Sequence, residues 1–157
     1  IQRMSSNMAI GLFLLYSVLN GMTLSVLLIV YTGASVASTF FITAGMFGAM
    51  SIYGYTTKQD LSSWGNLLFM ALFGIILASF VNIFLQSSGL YWLISYIGVL
   101  VFVGLTAYDT QKIKKLAAQV IVESEVGRKV AILGALTLYI DFIYMFIFML
   151  RTWGNRR

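Results

Sequence analysis

The stretch LLFMALFGIILASFVNIFL, residues 67–85, decides the fold class of this chain. It carries no charged side chain, and about 20 apolar residues in a helix suffice to cross the roughly 30 Å of hydrocarbon in a bilayer. Lipid offers no partners for backbone N–H and C=O groups, so such a segment satisfies them internally as an α-helix. Its apolar residues do not alternate with polar ones, which argues against a transmembrane β-strand.

Four further stretches pass the same test of length and apolarity. The five predicted spans are residues 8–31, 36–55, 67–85, 90–108 and 130–150. Small or polar residues separate them, with a polar run at 56–66 and a longer linker at 110–129. We therefore expect an all-α integral membrane protein, a polytopic helical bundle that forms a single transmembrane domain over residues 1–157.

The composition excludes several classes of protein. Apolar residues make up 60% of the chain and charged residues 10%, whereas a soluble domain has about 25% charged residues. A cytosolic globular enzyme, a disordered tail and a nucleic-acid binder do not fit these values. The chain contains no Cys and no His, which rules out disulfides, thiolate nucleophiles, imidazole bases and the usual zinc sites.

The distribution of Lys and Arg predicts the orientation, because cytoplasmic loops are enriched in both. If five spans alternate, the cations of one side are Arg3, Lys58, Lys112, Lys114, Lys115, Arg128 and Lys129. The other side has Arg151, Arg156 and Arg157, all near the C-terminal end of the sequence. We expect the first side to be cytoplasmic. The last segment either crosses completely or enters and returns, and its uninterrupted length favours a full crossing.

Small residues spaced four apart indicate faces on which helix backbones approach closely. The pairs of this kind are Gly45 with Ala49, Ala44 with Gly48, and Gly74 with Ala78. We assign them to packing and the aromatic residues at the span ends to interfacial anchoring, with no chemical role for either group.

Five acidic residues remain as candidates for chemistry. Asp60 lies beside Lys58 in a polar loop, while Glu123 and Glu125 lie in the long linker. We predict that these three are solvated surface charges. Asp141 differs because it falls near the middle of the last span, where an ionised Asp costs roughly 2.5–3.5 kcal/mol. Asp141 could be a structural residue, neutral and hydrogen-bonded to a neighbouring group. Alternatively, it is a residue of a functional site.

Asp109 lies where the fourth span gives way to a basic segment. Lys112, three residues further on, could pair with it on a helix surface. However, Asp109 and Asp141 lie 16 residues before and 16 residues after Glu125. If both helices extend equally toward the linker, the two carboxyl groups stand at one height, about 15 Å from its tip. The sequence does not fix the rotation of the helices, so the spacing allows a pair without requiring one.

Two carboxylates in contact within a low-dielectric interior cannot both be charged, so they share a proton. Such a pair would hold two helices together when protonated and push them apart when both groups ionise. The ionised pair would also attract a hard cation. Ca²⁺ prefers six to eight oxygen ligands, so Asp109 and Asp141 would form a weak site completed by water or backbone carbonyls.

Several segments resemble the Bax inhibitor family of membrane proteins, also called the transmembrane Bax inhibitor motif or YccA-like family. The segments are GLTAYDTQ at 104–111, ALTLYIDF at 135–142, TAGMFGAMS at 43–51 with KQDL at 58–61, and the LR and GNRR motifs at 150–151 and 154–157. The resemblance covers essentially the whole chain. The motifs at 150–151 and 154–157 are similar to those of bacterial inner-membrane members.

The resemblance implies a bundle of seven helices with the last one central, of which this chain carries five. The chain begins without Met, and by this comparison it lacks about the first two helices. Family members are described as pH-sensitive calcium leak channels whose sensor is an aspartate pair on the sixth and seventh helices, which matches Asp109 and Asp141. A basic residue of the second helix that engages the pair has no counterpart here. Tyr144 stands where bacterial relatives often have Asn.

Three functions follow as hypotheses. The first is a calcium leak with Asp109 and Asp141 as pH sensor and gate, with the lipid bilayer and Ca²⁺ as partners and neither a resident cofactor nor an enzymatic activity. The second is a non-transporting regulator that binds a membrane protease or another membrane protein. The third is an intramembrane aspartyl protease. The Tyr108-Asp109 pair fits half of the protease signature, but residues 138–141 read LYID where Gly-x-Gly-Asp is expected.

Overall fold

The structure, a computed structural model, describes residues 5–121 and 123–154. It consists of five helices, each long and apolar enough to cross a membrane. Their bounds are α1 Ser6–Val30, α2 Gly33–Thr56, α3 Ser62–Leu85, α4 Ser88–Ala117 and α5 Glu125–Trp153. The predicted all-α membrane fold is confirmed.

A hydroxyl residue immediately precedes four of the five helices and caps their first turns. The side chains of Ser5, Thr32, Ser87 and Ser124 each accept a hydrogen bond from the backbone N–H three residues further on. This contact satisfies one of the N–H groups that a helix leaves unpaired at its first turn. It also explains why chain reversals as short as Tyr31–Thr32 suffice between consecutive spans.

The prediction of a linker over residues 110–129 is wrong, because the connection between α4 and α5 is shorter. Helix α4 continues to Ala117 and α5 begins at Glu125. Lys and Gln are good helix formers, and Lys114 and Lys115 lie in the last turn of α4, where cations interact favourably with the helix dipole. The polar run at 56–66 likewise shrinks, because α3 already begins at Ser62.

Helices α4 and α5 form the centre of the bundle. Helix α4 contacts α2, α3 and α5, while α5 also contacts α1 and α2. Gly98 lies against Phe148 and Gly134 against Ile113, so α4 and α5 are antiparallel. The ring of Phe13 lies against Tyr139, in keeping with α1 running parallel to α5.

All described cations except Arg151 lie at one end of the bundle. This cationic end comprises the first turns of α1, α3 and α5, the last turns of α2 and α4, the loop at 57–61, and residues 118–121 and 123–124. At the opposite end, Gly154 lies against Tyr31, so α5 runs the length of the bundle as a full crossing requires. Arg3, Arg156 and Arg157, which also entered the prediction of orientation, lie outside the described residues.

Apolar side chains from α3, α4 and α5 form the core. Its buried members are Ile75, Ile94, Val101, Phe102, Leu105, Met145, Phe148 and Met149.

The predicted close approaches at small-residue pairs are wrong. A Cβ added at Gly45, Gly48 or Gly74 would meet no atom of another helix within 4 Å in the described part of the chain. Close approaches occur instead at Gly54, where α2 meets the backbone of Ala107, and at Gly98, where α4 meets the Phe148 ring. Spacing along a helix identifies a small-residue face but not the direction in which that face points.

Candidate functional site

The carboxyl groups of Asp109 on α4 and Asp141 on α5 meet inside the bundle. They are hydrogen-bonded to each other, and the two residues are only 5% and 4% exposed. One oxygen of Asp141, Oδ2, has no hydrogen-bond partner among the described residues. The structure thus brings together the two residues that the sequence analysis singled out.

The pair forms although one premise of its prediction is wrong. Asp109 lies eight residues before the end of α4 at Ala117, and Asp141 lies 16 residues after the start of α5 at Glu125. At about 1.5 Å per residue the two arms measure roughly 12 Å and 24 Å, so the helices do not extend equally. The first turns of α5 project past the end of α4 and contact α1 instead.

The surroundings of the pair offer little charge compensation. Lys112 is the cation whose charge acts on Asp109, and its own side chain is exposed. The hydroxyls of Thr106 and Thr110 donate to carbonyl oxygens of their own helix, at 2.8 Å and 2.7 Å. Within the described ranges, no salt bridge to Asp109 or Asp141 is formed. Each carboxyl group therefore has the other as its principal polar neighbour.

Gln111 is a functional candidate that the sequence analysis missed. Its side chain is buried, and its Oε1 accepts the Leu61 N–H at 2.8 Å while its Nε2 donates to the Gln59 carbonyl at 2.7 Å. The 57–61 loop is thereby fixed to α4 two residues beyond Asp109. An uncharged polar residue in the Tyr108-Asp109-Thr110-Gln111 segment was the available signal.

Two lysines of α4 reinforce this attachment. Lys114 Nζ donates to the Tyr55 carbonyl at 2.6 Å and lies 4.6 Å from the centre of the Tyr55 ring. Lys115 Nζ lies 2.9 Å from Asp60 Oδ1. The hydrogen bond from Lys115 holds the pKa of the Asp60 carboxyl well below its usual range. Asp60 is a surface charge as predicted, but its partner is Lys115 and not the adjacent Lys58.

Glu125 connects α5 to α1, so its prediction as a solvated charge is incomplete. Its side chain is 49% exposed, yet its carboxylate accepts the Ser6 N–H at 2.6 Å and the Ser6 hydroxyl at 3.1 Å. The Glu125 side chain therefore caps the first turn of α1. Arg128 adds a longer contact of 3.4 Å to Asn7. Glu123 is exposed, as predicted.

Tyr144 packs as an aromatic residue. Its ring stacks on Phe102 with 5.5 Å between centroids and 15° between planes. Tyr144 thus takes part in the α4–α5 contact through an apolar surface.

The aspartate pair offers few ligands for a metal ion. No group of three or more Asp, Glu, His or Cys side chains that could hold a metal occurs in the part of the chain that the structure describes. The aspartate pair alone supplies at most four oxygens, fewer than the six to eight that Ca²⁺ takes.

Comparison with known proteins assigns the family. Residues 1–157 match the family described as inhibitor of apoptosis-promoting Bax1. The chain is 61% identical to the inner membrane protein YbhL of Escherichia coli K12 over all of its own length and 68% of that protein. It is 50% identical over its whole length to an uncharacterized protein of Borreliella burgdorferi, covering 68% of it. A Rickettsia prowazekii protein is 51% identical over 99% of the chain and 65% of that protein. The chain therefore belongs to the Bax inhibitor family and is a multi-pass protein of the inner membrane.

Proposed function

We propose that this chain forms part of a pH-sensitive calcium leak whose closed state is held by a proton shared between Asp109 and Asp141. The observation that carries the proposal is the meeting of two buried carboxyl groups from the two central helices. An acidic side chain inside a membrane is costly, and two of them in contact form an arrangement that packing alone does not require.

The shared proton gives the pair two states. With one proton, one carboxyl group donates to the other and the two helices are bridged. Without it, two negative charges face each other where the dielectric constant is low, and their repulsion is far stronger than in water. Loss of the proton therefore converts a bridge between α4 and α5 into a repulsive contact.

The hydrogen bonds of the cationic end define what would separate. Gln111, Lys114 and Lys115 join α4 to the α2–α3 connection, whereas Glu125 joins α5 to α1. These contacts define two groups of helices, one of α2, α3 and α4 and one of α1 and α5. The aspartate pair bridges the two groups. Repulsion within the pair would then open the cationic end between the two groups.

Calcium would act as the transported substrate. The ionised pair supplies carboxylate oxygens, which Ca²⁺ favours, but too few to replace its full coordination shell. Water or backbone carbonyls would provide the remaining ligands. Such incomplete coordination suits conduction, because an ion that is held weakly can leave the site again.

The test is Ca²⁺ flux into liposomes that carry the full-length protein, measured at about pH 6 and pH 8. We expect the wild-type flux to rise with pH. In Asp109→Asn or Asp141→Asn the pair can no longer carry two negative charges, so the pH dependence should be lost. Asp60→Asn is the matched control, because this carboxylate lies at the cationic end but outside the pair, and it should leave the pH dependence intact.

Two outcomes would contradict the proposal. If all variants leak alike, or none leaks, the two acids are structural and a regulator that binds another membrane protein becomes the better hypothesis. If the pair instead supports cleavage of a membrane substrate that Asp141→Asn abolishes, the protein is an aspartyl protease. The sequence argues against the protease, because Leu138 and Ile140 stand at the two positions where the protease signature has glycines.

A further inference from the structure

The end of the bundle opposite the cationic end contains a polar cavity of about 510 Å³. It lies where α3 ends and α4 begins, beside the last turn of α5. We call it the Arg151 cavity; its lining residues are Asn82, Gln86, Ser87, Ser88, Tyr91, Trp92, Arg151 and Gly154. No residue of the aspartate pair or of its surroundings contributes to it.

Two aromatic rings hold the guanidinium of Arg151. Its central carbon lies 4.2 Å from the centre of the Tyr91 ring and 5.2 Å from that of the Phe148 ring. Arg favours such stacking because its charged group is planar and weakly hydrated. An aromatic ring offers no oxygen acceptor, so these contacts leave the N–H donors of the guanidinium available to an anion.

Among the described residues, no anionic group pairs with the positive charge of Arg151. In the described ranges, neither a salt bridge nor a hydrogen bond to an acceptor is formed by this side chain. Its Nε is buried without a partner, and a buried unpaired donor commonly indicates an acceptor that belongs to the site. The lining includes no Asp or Glu.

The remaining lining favours the same kind of ligand. Helix α4 begins at Ser88, on the wall of the cavity, and the N-terminus of a helix carries a partial positive charge and unpaired N–H groups. Gln86 ends α3 in the left-handed conformation, with φ of 51°, which turns the chain sharply into α4. The Asn82 side chain fixes this turn by accepting the Ser87 N–H at 3.0 Å.

The depth of the cavity indicates where its ligand comes from. Trp92 lines it and is 44% exposed, and Trp153, 68% exposed, lies in the last turn of α5. Tryptophan side chains concentrate at the level of the lipid headgroups. The phosphate groups of the surrounding phospholipids lie at this same level.

We propose that the Arg151 cavity binds a phosphate anion, and specifically the phosphodiester of an anionic phospholipid headgroup. The planar N–H donors of Arg match the oxygens of a phosphate in a bidentate contact. The positive end of α4 supplies a second, independently oriented attraction for negative charge. This site lies at the opposite end of the bundle from the aspartate pair, so it stands whether or not the protein conducts calcium.

The experiment is native mass spectrometry of the full-length protein, released from detergent with phosphatidylglycerol or phosphatidylcholine of equal chain length. We expect wild type to retain phosphatidylglycerol preferentially. Arg151→Gln should reduce this retention at least fivefold, because the charge and the bidentate donors are lost. Arg128→Gln is the matched control, since it removes an exposed Arg at the other end, and it should retain lipid as wild type does.

A second variant and a competition experiment complete the test. Ser88→Asp places a negative charge inside the cavity at a helix position that favours it, so it should reduce retention even if Arg151→Gln folds poorly. Inorganic phosphate at millimolar concentration distinguishes the source of the anion. If phosphate displaces the lipid only when Arg151 is present, the site takes free phosphate as well as headgroups; failure to displace it assigns the site to lipid alone. Equal retention by wild type, Arg151→Gln and Ser88→Asp would overturn the proposal.

Discussion

The two ends of the α4–α5 pair hold the same two helices by different means. Toward the Arg151 cavity the contact is apolar, with Phe148 against Gly98 and stacked on Phe102 at 5.8 Å. On the side that faces the cationic end, the two helices meet through the hydrogen-bonded carboxyl groups of Asp109 and Asp141 and through Ile113, which lies against Gly134. Each helix is also attached there to a different neighbour.

The apolar contacts stabilise the bundle, whereas the carboxylate and lysine contacts respond to pH and to ions. Apolar packing is insensitive to pH and to salt, so the packed end keeps α4 and α5 together under all conditions. Contacts through carboxylates and lysines depend on protonation and on ions. A bundle of this kind can change at one end without losing its fold at the other.

The largest expected effect concerns the packed end. Met145 on α5 is 0% exposed, and Met145→Ala would leave a cavity among the core side chains. We expect a loss of about 2–5 kcal/mol in the free energy of unfolding, measured by titration with SDS in mixed micelles. Met70→Ala is the control, because Met70 is 72% exposed and its truncation should cost less than about 0.5 kcal/mol. Equal losses would mean that the packed end is not the stabilising one.

An intermediate effect is expected where Gln111 fixes the 57–61 loop. Gln111→Ala leaves the Leu61 N–H and the Gln59 carbonyl without their side-chain partners, which costs about 1–3 kcal/mol. Because only the loop loses a contact, we expect faster hydrogen exchange at the Leu61 amide and little change at core amides. Gln119→Ala, at an exposed position, should change neither. Faster exchange throughout α4 and α5 would show that the two ends are not independent.

The smallest effect concerns the ion pair of Lys115 with Asp60. Lys115→Met should raise the pKa of Asp60 toward the ordinary value near 3.9, which NMR titration of the carboxyl carbon would measure. Since the fold lowers this pKa, the ion pair stabilises the protein at pH above about 4 and the contribution is lost as pH falls further. Lys58→Met should leave the Asp60 pKa unchanged; a shift as large as that of Lys115→Met would contradict the assignment of Lys115 as the partner of Asp60.

The features that follow from the presence of a lipid bilayer could be predicted from the sequence. Long apolar runs must be helices, and cations collect at one end, so the fold class and the distribution of the described charges were predictable. The pairing of Asp109 with Asp141 was predictable as a hypothesis, from the spacing of both acids about Glu125 and from the resemblance to the Bax inhibitor family. That residues 1–157 form one domain of a seven-helix protein stays a prediction, as does the role of the pair as a pH sensor.

Features that depend on helix rotation were not predictable. Gly45 and Gly54 both lie among apolar residues of α2, yet of these two only Gly54 lies against another of the described helices. The contacts of Gln111 with the 57–61 loop and of Glu125 with Ser6 join residues 50 and 119 positions apart. No local pattern specifies such pairs, since they arise only when whole helices are packed.

The contact of Gly54 with Ala107 has a mechanical consequence. At this point the backbone of α2 lies directly on the backbone of α4, with no Gly54 side chain to hold the two helices apart, and we expect α4 to pivot there. The arm of α4 from Ala107 to Ala117 is about 15 Å long. Tilting that arm by about 10° displaces its tip by roughly 2.6 Å, close to the width of a water molecule. A small change in angle at a glycine buried in the bundle is thereby amplified at the membrane surface.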